Sequence, residues 1–216
     1  MALRNRVTPF GEIVAVAGRG TLMGNRGMLH NRERDLVRDW QVRRWIACRV
    51  EFRGRHREVM TPGSYTELFF LDEATALADG HRPCAECRHP DYVRFQDAWR
   101  SARAVLKAPS ADEIDVVLHD ERRTAPWRKR THTAEIASLP DGSYIALDDR
   151  AWLVYGEWVH AWSPDGYVEH QRRPPSGTLS LLTPPSIVGV LRAGYRSDVH
   201  PSSLQLSAIS HQQRNY

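Results

Sequence analysis

The sequence predicts an α+β protein, in which a small N-terminal sheet with helices is followed by a mainly antiparallel β module. The chain has 216 residues, of which 41% are hydrophobic and 26% are charged, so it is long and apolar enough to bury a core. Before residue 108, short apolar runs alternate with two stretches of helical periodicity. After residue 142, short aromatic and β-branched runs are separated by turn signals such as Pro-Asp-Gly, which is typical of an antiparallel meander.

Three strands are predicted in the N-terminal half, because apolar and β-branched residues dominate residues 12–17, 45–52 and 65–71. A return strand over residues 57–60 would form a hairpin with the second of them. The glycine-rich stretch 18–27 is predicted to form tight turns, since glycine tolerates a positive φ. The alternative, a phosphate-cradling loop, would need the Gly-Lys-Ser/Thr ending of a P-loop, which this stretch lacks.

Two helices are predicted in the same half, over residues 73–78 and 90–106. Asp72 is suited to cap the first turn of the first helix, and Gly80 is suited to end it. In the second helix, aromatic residues recur at three- and four-residue spacing. This periodicity indicates a stripe of side chains that faces the core.

The rest of the chain divides at a turn signal over residues 140–142. A helix over residues 113–122 and an arginine-rich segment precede this turn. The elements predicted after it are strands over residues 143–147, 152–155, 158–162, 167–169 and 178–183 and a helix over residues 186–193. We therefore expect three consecutive parts: an N-terminal domain (1–108), a basic connecting segment (109–141) and a β-rich C-terminal module (142–216).

The net charge of +4 is carried almost entirely by arginine, since Lys107 and Lys129 are the only lysines. Arginine binds phosphate with a planar, bidentate fork, so a nucleic-acid partner is allowed, although GC-rich coding produces the same bias. No apolar run reaches the roughly 20 residues of a bilayer-spanning helix, and no apolar signal region follows the N-terminus. Sparse, odd cysteine usage is typical of a reducing compartment. These features predict a cytoplasmic protein with no membrane partner.

The segment Gly-His-Arg-Pro-Cys84-Ala-Glu-Cys87 carries the clearest chemical signal. Two cysteines at i and i+3, after a proline and ahead of a predicted helix, can place both sulfurs on one tetrahedral ion. Such a pair is half a site, for which Cys48 is the only other thiol and His30 is the preferred fourth ligand. Two flanking histidines compete for the fourth place: His81 and His89. The sequence therefore predicts a structural zinc site of the Cys3His type.

Three other interpretations of the cysteine pair remain open. A redox dithiol would follow a buried strand in a βαβ pattern, whereas a short predicted helix precedes this pair. Buried cysteines without a metal are the second interpretation. The third is a nucleobase deaminase, which combines Pro-Cys-x-x-Cys with an upstream ligand-x-Glu whose glutamate moves protons. Here the upstream segment is Cys48-Arg-Val-Glu51, and the additional residue places Glu51 on the strand face opposite Cys48.

Residues 67–88, which include the cysteine pair, resemble the second half of the zinc-binding domain of Ada-type DNA-alkylation-repair proteins. The shared order is a strand ending in paired phenylalanines, a short Glu/Ala helix, Gly-aromatic-Arg-Pro and Cys-x-x-Cys. The resemblance implies that Cys84 and Cys87 are zinc ligands, that Arg82 and Pro83 frame the knuckle, and that the knuckle packs on a small sheet near DNA phosphates. In that family a pair of closely spaced cysteines, one of which accepts the alkyl group, precedes this segment. Arginines stand there in this chain, so the resemblance does not extend to alkyl transfer.

Together these features predict a zinc-stabilised nucleic-acid-binding protein, with DNA as the expected partner. Basic side chains near the knuckle and in the connecting segment would contact phosphate. The expected contacts are Arg82, Arg88, Arg128, Lys129 and Arg130. The alternatives are a zinc enzyme acting on a nucleotide or alkylated DNA, and a protein-interaction module that uses zinc to fold. The number of protein ligands separates them, because four ligands close a structural site and three leave a position open for catalysis.

Overall fold

The computed structural model of this protein describes residues 2–54, 58–125 and 128–203. It confirms the α+β prediction: a mixed N-terminal sheet with helices is followed by a six-stranded antiparallel sheet. Within these ranges, none of the helices combines the length and the apolar character needed to cross a membrane.

The first sheet is mixed and brings the N-terminal third of the chain together. Its strands are β1 (Arg4–Val7), β2 (Ile13–Ala15), β3 (Leu22–Asn25), β4 (Ile46–Arg49), β5 (Leu68–Phe70) and β6 (Arg82–Pro83). Their order across the sheet is β2-β1-β5-β3-β4-β6, and the β1–β5 and β4–β6 pairs are parallel. One face of this sheet covers an apolar core, and β4 and β6 lie together at one edge.

The glycine-rich stretch 18–27 contains β3, so the prediction that it forms only turns was wrong. Glycine is needed here for close packing, because a Cβ on Gly24 would meet the ring of Phe70, and one on Gly20 would meet the Phe70 backbone. The strand β1 was not predicted. The proposed return strand is not formed by residues 58–60, and Arg57 lies outside the described residues.

The described residues form four α-helices at the predicted positions, although the second ends at Ala102 and not near residue 106. They are α1 (Glu73–Ala78), α2 (His89–Ala102), α3 (Ala111–Arg122) and α4 (Pro185–Arg192). The Asp72 carboxylate accepts a hydrogen bond from the Thr75 amide at 2.8 Å, which caps α1 as expected. Gly80 follows α1 with a φ of 87°, a conformation that glycine adopts without strain.

The second sheet is a four-stranded meander with two further strands added beside its first strand. Its strands are β9 (His132–Glu135), β10 (Tyr144–Leu147), β11 (Arg150–Tyr155), β12 (Trp158–Ser163), β13 (Gly166–Arg172) and β14 (Thr178–Leu181). The order is β13-β12-β11-β10-β14-β9, with all pairs antiparallel. The five predicted strands are present, whereas β9 was missed because it lies in the polar segment that we interpreted as a connector. A separate two-stranded sheet joins β7 (Arg123–Ala125) to β8 (Arg128–Lys129), and a 3-10 turn spans Ile136–Ser138.

The predicted connecting segment is part of the packed structure. Its helix α3 contributes Ile114 and Leu118 to a core shared with α1, α2 and α4. The buried Arg122 guanidinium donates to the carbonyl of Gly80 at 2.8 Å, and the Lys129 amine donates to the carbonyl of Ala78. Part of the positive charge of this segment is therefore carried by side chains that donate hydrogen bonds within the fold.

Burial of His160 on β12 leads to a testable pH dependence. Its ring is fully buried beside His170, and burial, with a smaller contribution from His170, lowers the pKa of His160 to about 4. The unfolded chain then takes up this proton first, near pH 6.5, so the free energy of unfolding falls as the pH drops from there towards 4. We expect a loss of up to about 3 kcal/mol from this group, measured by urea denaturation at neutral pH and near pH 4.

The His160→Phe variant should lose this part of the pH dependence and keep the remainder. The remainder is expected because burial also lowers the pKa of His81 to about 4. An identical pH profile for His160→Phe and the wild type would show that His160 is not neutral in the folded protein.

Candidate metal centre

The pairing of β4 with β6 brings three cysteines to one edge of the first sheet. Ile46 and Ala47 on β4 pair in parallel with Arg82 and Pro83 on β6. The Cys84 amide continues this pairing by donating to the Ala47 carbonyl at 3.0 Å. The residue after Ala47 is Cys48, so its thiol lies beside the Cys-x-x-Cys segment although the two are far apart in sequence.

The three sulfurs form a compact cluster that can hold a metal ion. The sulfurs of Cys48, Cys84 and Cys87 all lie within 4.8 Å of one another, and each residue is at most 9% exposed. A tetrahedral ion with bonds of about 2.3 Å separates its ligand sulfurs by about 3.8 Å. The cluster therefore needs little rearrangement to bind such an ion. The Arg49 amide also donates to the Cys87 sulfur at 3.4 Å, which helps to neutralise a thiolate.

As thiols, the three groups titrate together rather than independently. Hydrogen bonds from Cys48 and then from Cys87 lower the pKa of the Cys84 thiol. The hydrogen bonds that Cys48 makes to Cys84 and Cys87, together with burial, raise the pKa of Cys48. A metal ion must displace the remaining protons, so we expect metal affinity to increase with pH.

A cavity of about 590 Å³ opens directly beside the sulfurs. Its lining is largely apolar and aromatic, with a few polar groups, which is typical of ligand sites. The lining residues are Met23, Asn25, Ile46, Cys48, Arg49, Val50, Phe52, Val59, Tyr65, Glu67, Phe69, Cys84, Glu86 and Cys87. A metal ion bound by the three sulfurs would form part of the cavity wall.

The structure does not bring His30 to the cysteine cluster, which corrects our expectation for the fourth ligand. His30 is buried, and its Nδ1 lies 2.6 Å from the Thr66 hydroxyl. Its Nε2 lies 3.3 Å from the Thr61 carbonyl. Both ring nitrogens are therefore engaged within the loops that follow β3 and precede β5.

The two competing histidines also lie outside the cluster. The ring of His81 is fully buried against Trp45 and Phe70, and its Nδ1 lies 3.2 Å from the Asp79 carboxylate. The Nδ1 of His89 lies 3.1 Å from the Ala85 carbonyl. Among the described residues, the group that could hold a metal ion thus consists of the three cysteines alone.

Two of the five expected phosphate contacts are instead internal ion pairs. Arg82 is 2% exposed, and its guanidinium binds both oxygens of Asp115, at 3.0 and 2.8 Å. Arg88 is 3% exposed and donates to Glu73 at 2.7 Å and to Asp91 at 2.9 Å. These arginines hold the knuckle against the helices, so they are not available to a nucleic acid.

The remaining three expected contacts lie on β8 and directly after it. Lys129 is partly buried, and its amine donates to the carbonyl of Ala78. Arg128 and Arg130 are exposed, and the Nε of Arg130 donates to the Arg123 carbonyl at 3.3 Å. Only the last two therefore present a guanidinium to solvent.

Sequence reasoning missed the cavity residues on β3 and β5. Phe69 is half-buried between the fully buried Leu68 and Phe70, and it points to the cavity face. The available signal was the alternation of side chains between the two faces of β5. The sequence hides this alternation because all three residues of the strand are apolar. Glu51, the glutamate of the deaminase alternative, is exposed and does not line the cavity.

Comparison with known proteins adds no evidence about the cysteine cluster. No family model, no curated protein and no solved structure matches this chain.

Proposed function

We propose that Cys48, Cys84 and Cys87 bind one zinc ion, and that the protein uses this centre and the adjoining cavity to bind nucleic acid. The observation that carries the proposal is the convergence of three buried sulfurs at the cavity. Thiolate ligands select zinc, copper(I) or iron–sulfur clusters. An iron–sulfur cluster is usually held by four cysteines, whereas this chain contains three, which favours a single zinc ion.

The fourth zinc position is proposed to face the cavity and to exchange its ligand. This follows from the described ligand set of three cysteines and from the cavity beside it. Cobalt(II) substitution tests the proposal, because the visible spectrum of the cobalt protein should shift when a small external thiol or cyanide is added. His30→Ala and His56→Ala are informative variants, since His56 lies in the chain segment outside the described residues.

We expect both histidine variants to retain one metal ion per chain and the spectral response. Loss of metal from the folded His56→Ala protein would instead establish a closed Cys3His site. Such a site favours a purely structural role for the zinc ion.

Nucleic-acid binding is supported by arginines and aromatic side chains at the cavity. Arg49 lines the cavity, and the exposed Arg53 lies 4.9 Å from the ring centre of Phe52. Guanidinium groups bind phosphate, and aromatic rings stack on unpaired bases. Arg128 and Arg130 provide a second exposed pair.

The binding test is a salt series for DNA affinity, measured by fluorescence anisotropy on the zinc-loaded protein. We expect affinity to fall steeply with salt, and the paired change Arg49→Gln with Arg53→Gln should reduce the log–log slope by about 1 for each phosphate that is no longer neutralised. Arg128→Gln with Arg130→Gln tests the second pair in the same way. Arg150→Gln, an exposed arginine paired with Glu169 on the second sheet, is the matched control. Binding that is absent or independent of salt would contradict the proposal.

A zinc enzyme acting on a nucleotide is the second candidate, because the cavity lies beside the metal site. Three thiolates leave a bound zinc ion with a net charge of −1, so it polarises a substrate less than a zinc ion with neutral ligands. Zinc-dependent turnover that is lost in Glu67→Gln while zinc is retained would favour this candidate, since Glu67 lines the cavity.

A further inference from the structure

The open face of the first sheet presents a continuous row of side chains that leads away from the sulfurs. Arg6 on β1 pairs with Phe69 on β5, Phe69 pairs with Met23 on β3, and Met23 pairs with Cys48 on β4. Residues paired in register point to the same face of a sheet. The row therefore crosses four neighbouring strands and ends at the metal centre.

A second cavity extends this surface beyond the first one. It has a volume of about 400 Å³, and it shares Val59 and Phe69 with the cavity beside the sulfurs. Arg6 lies at the second cavity, and the two cavities, which adjoin at Val59 and Phe69, line one stretch of the sheet face. We call it the sheet groove. Neighbouring strands lie about 4.8 Å apart, so the three steps from Arg6 to Cys48 span about 14 Å.

The two ends of the sheet groove differ in chemistry. Among the described residues, Arg6 is the only charged one that lines the second cavity, and its guanidinium lies 4.7 Å from the ring centre of Phe69. The first cavity has aromatic walls and one described arginine, Arg49, but two carboxylates accompany this arginine, those of Glu67 and Glu86. An anionic group is therefore best placed near Arg6, and a flat, uncharged ring is best placed between Phe69 and the sulfurs.

We propose that the sheet groove binds a short single-stranded segment of nucleic acid, laid across the strands. In this arrangement a phosphate lies at Arg6, one base stacks on Phe69, and the next base enters the cavity beside the zinc ion. Only unpaired bases expose the ring faces that such a surface binds, because the bases of a duplex are stacked on each other. This inference rests on the proposed nucleic-acid function and adds the form of the ligand and its path.

The test compares a labelled oligothymidylate with a duplex of the same length, using fluorescence anisotropy on the zinc-loaded full chain. We expect the single strand to bind more tightly. Phe69→Leu should weaken this binding about tenfold, whereas Phe69→Tyr, which keeps the ring, should preserve it. Arg6→Gln should weaken binding and reduce the salt slope by about 1. Arg172→Gln is the matched control, because Arg172 makes a similar contact with Trp158 on the second sheet.

Zinc content and thermal unfolding of each variant show whether a loss of binding reflects a loss of structure. Wild-type affinity in Phe69→Leu and Arg6→Gln would overturn the proposal that the sheet groove binds a single strand. Equal affinity for duplex and single strand would also overturn it. If duplex DNA still binds through the arginine pairs tested above, the proposed function stands without the groove. If neither ligand binds, both proposals fall.

Discussion

Replacement of Cys84 by serine is expected to abolish zinc binding and to destabilise the protein. A hydroxyl is a poor zinc ligand, and the substitution leaves two of the three described thiols that could hold the ion. A ligand held at about a thousand times its Kd contributes about 4 kcal/mol to the free energy of unfolding. For a chain of this size, that loss lowers the midpoint of thermal unfolding by about 10 °C.

The measurement is metal content per chain by plasma mass spectrometry, together with thermal unfolding. Cys48→Ser should behave like Cys84→Ser, because both thiols belong to the same cluster. The matched control is Ala85→Ser, which adds a hydroxyl to the exposed turn between the two knuckle cysteines and removes no ligand. An unchanged zinc content in Cys84→Ser would refute the proposed metal centre.

The His30→Ala variant separates the loss of a ligand from the loss of a buried hydrogen bond. We expect it to retain zinc while becoming less stable, because the substitution removes a buried ring contact with Thr66 and a partly buried one with Thr61. The opposite result, loss of zinc from a folded His30→Ala protein, would restore the Cys3His site that the sequence suggested.

The sequence was sufficient for those features that depend on local chemistry. Asp72 and Gly80 delimit α1 by capping, and the turn signals between the short aromatic and β-branched runs after residue 142 mark the connections between strands of the second sheet. The cysteine cluster was also predictable in part, because the two knuckle cysteines can meet only one further thiol in this chain.

The features that the sequence did not reveal depend on long-range pairing. Gly24 forms part of a strand because the ring of Phe70 packs against its backbone, and nothing near Gly24 in the sequence indicates that contact. Arg82 was interpreted as a phosphate ligand, whereas its partner Asp115 lies 33 residues away. The role of a charged side chain can be assigned only when the fold shows which group it contacts.

A second large effect is expected at Glu73, which connects the knuckle to the C-terminal residues. Glu73 is 2% exposed, and its Oε1 accepts hydrogen bonds from Arg88 at 2.7 Å and from the Tyr195 hydroxyl at 2.6 Å. Its Oε2 accepts a hydrogen bond from the Asp198 amide at 3.1 Å. Arg88 directly follows Cys87, so this carboxylate links the turn that carries Cys84 and Cys87 to the segment after α4.

Glu73→Ala should lower the free energy of unfolding by about 3–5 kcal/mol, measured by urea denaturation, because it leaves the buried Arg88 without its principal partner. Glu169→Ala is the control, since it breaks an exposed pair with Arg150 that is worth at most about 1 kcal/mol. The double variant Glu73→Leu with Arg88→Met should be more stable than Glu73→Ala. It also removes the guanidinium charge of Arg88, which Glu73→Ala leaves buried without its principal partner. If Glu73→Ala costs no more than Glu169→Ala, the carboxylate does not hold the knuckle. If it costs the expected amount and zinc affinity also falls, the metal centre depends on the C-terminal module for its geometry, and the two parts of the chain act as one functional unit.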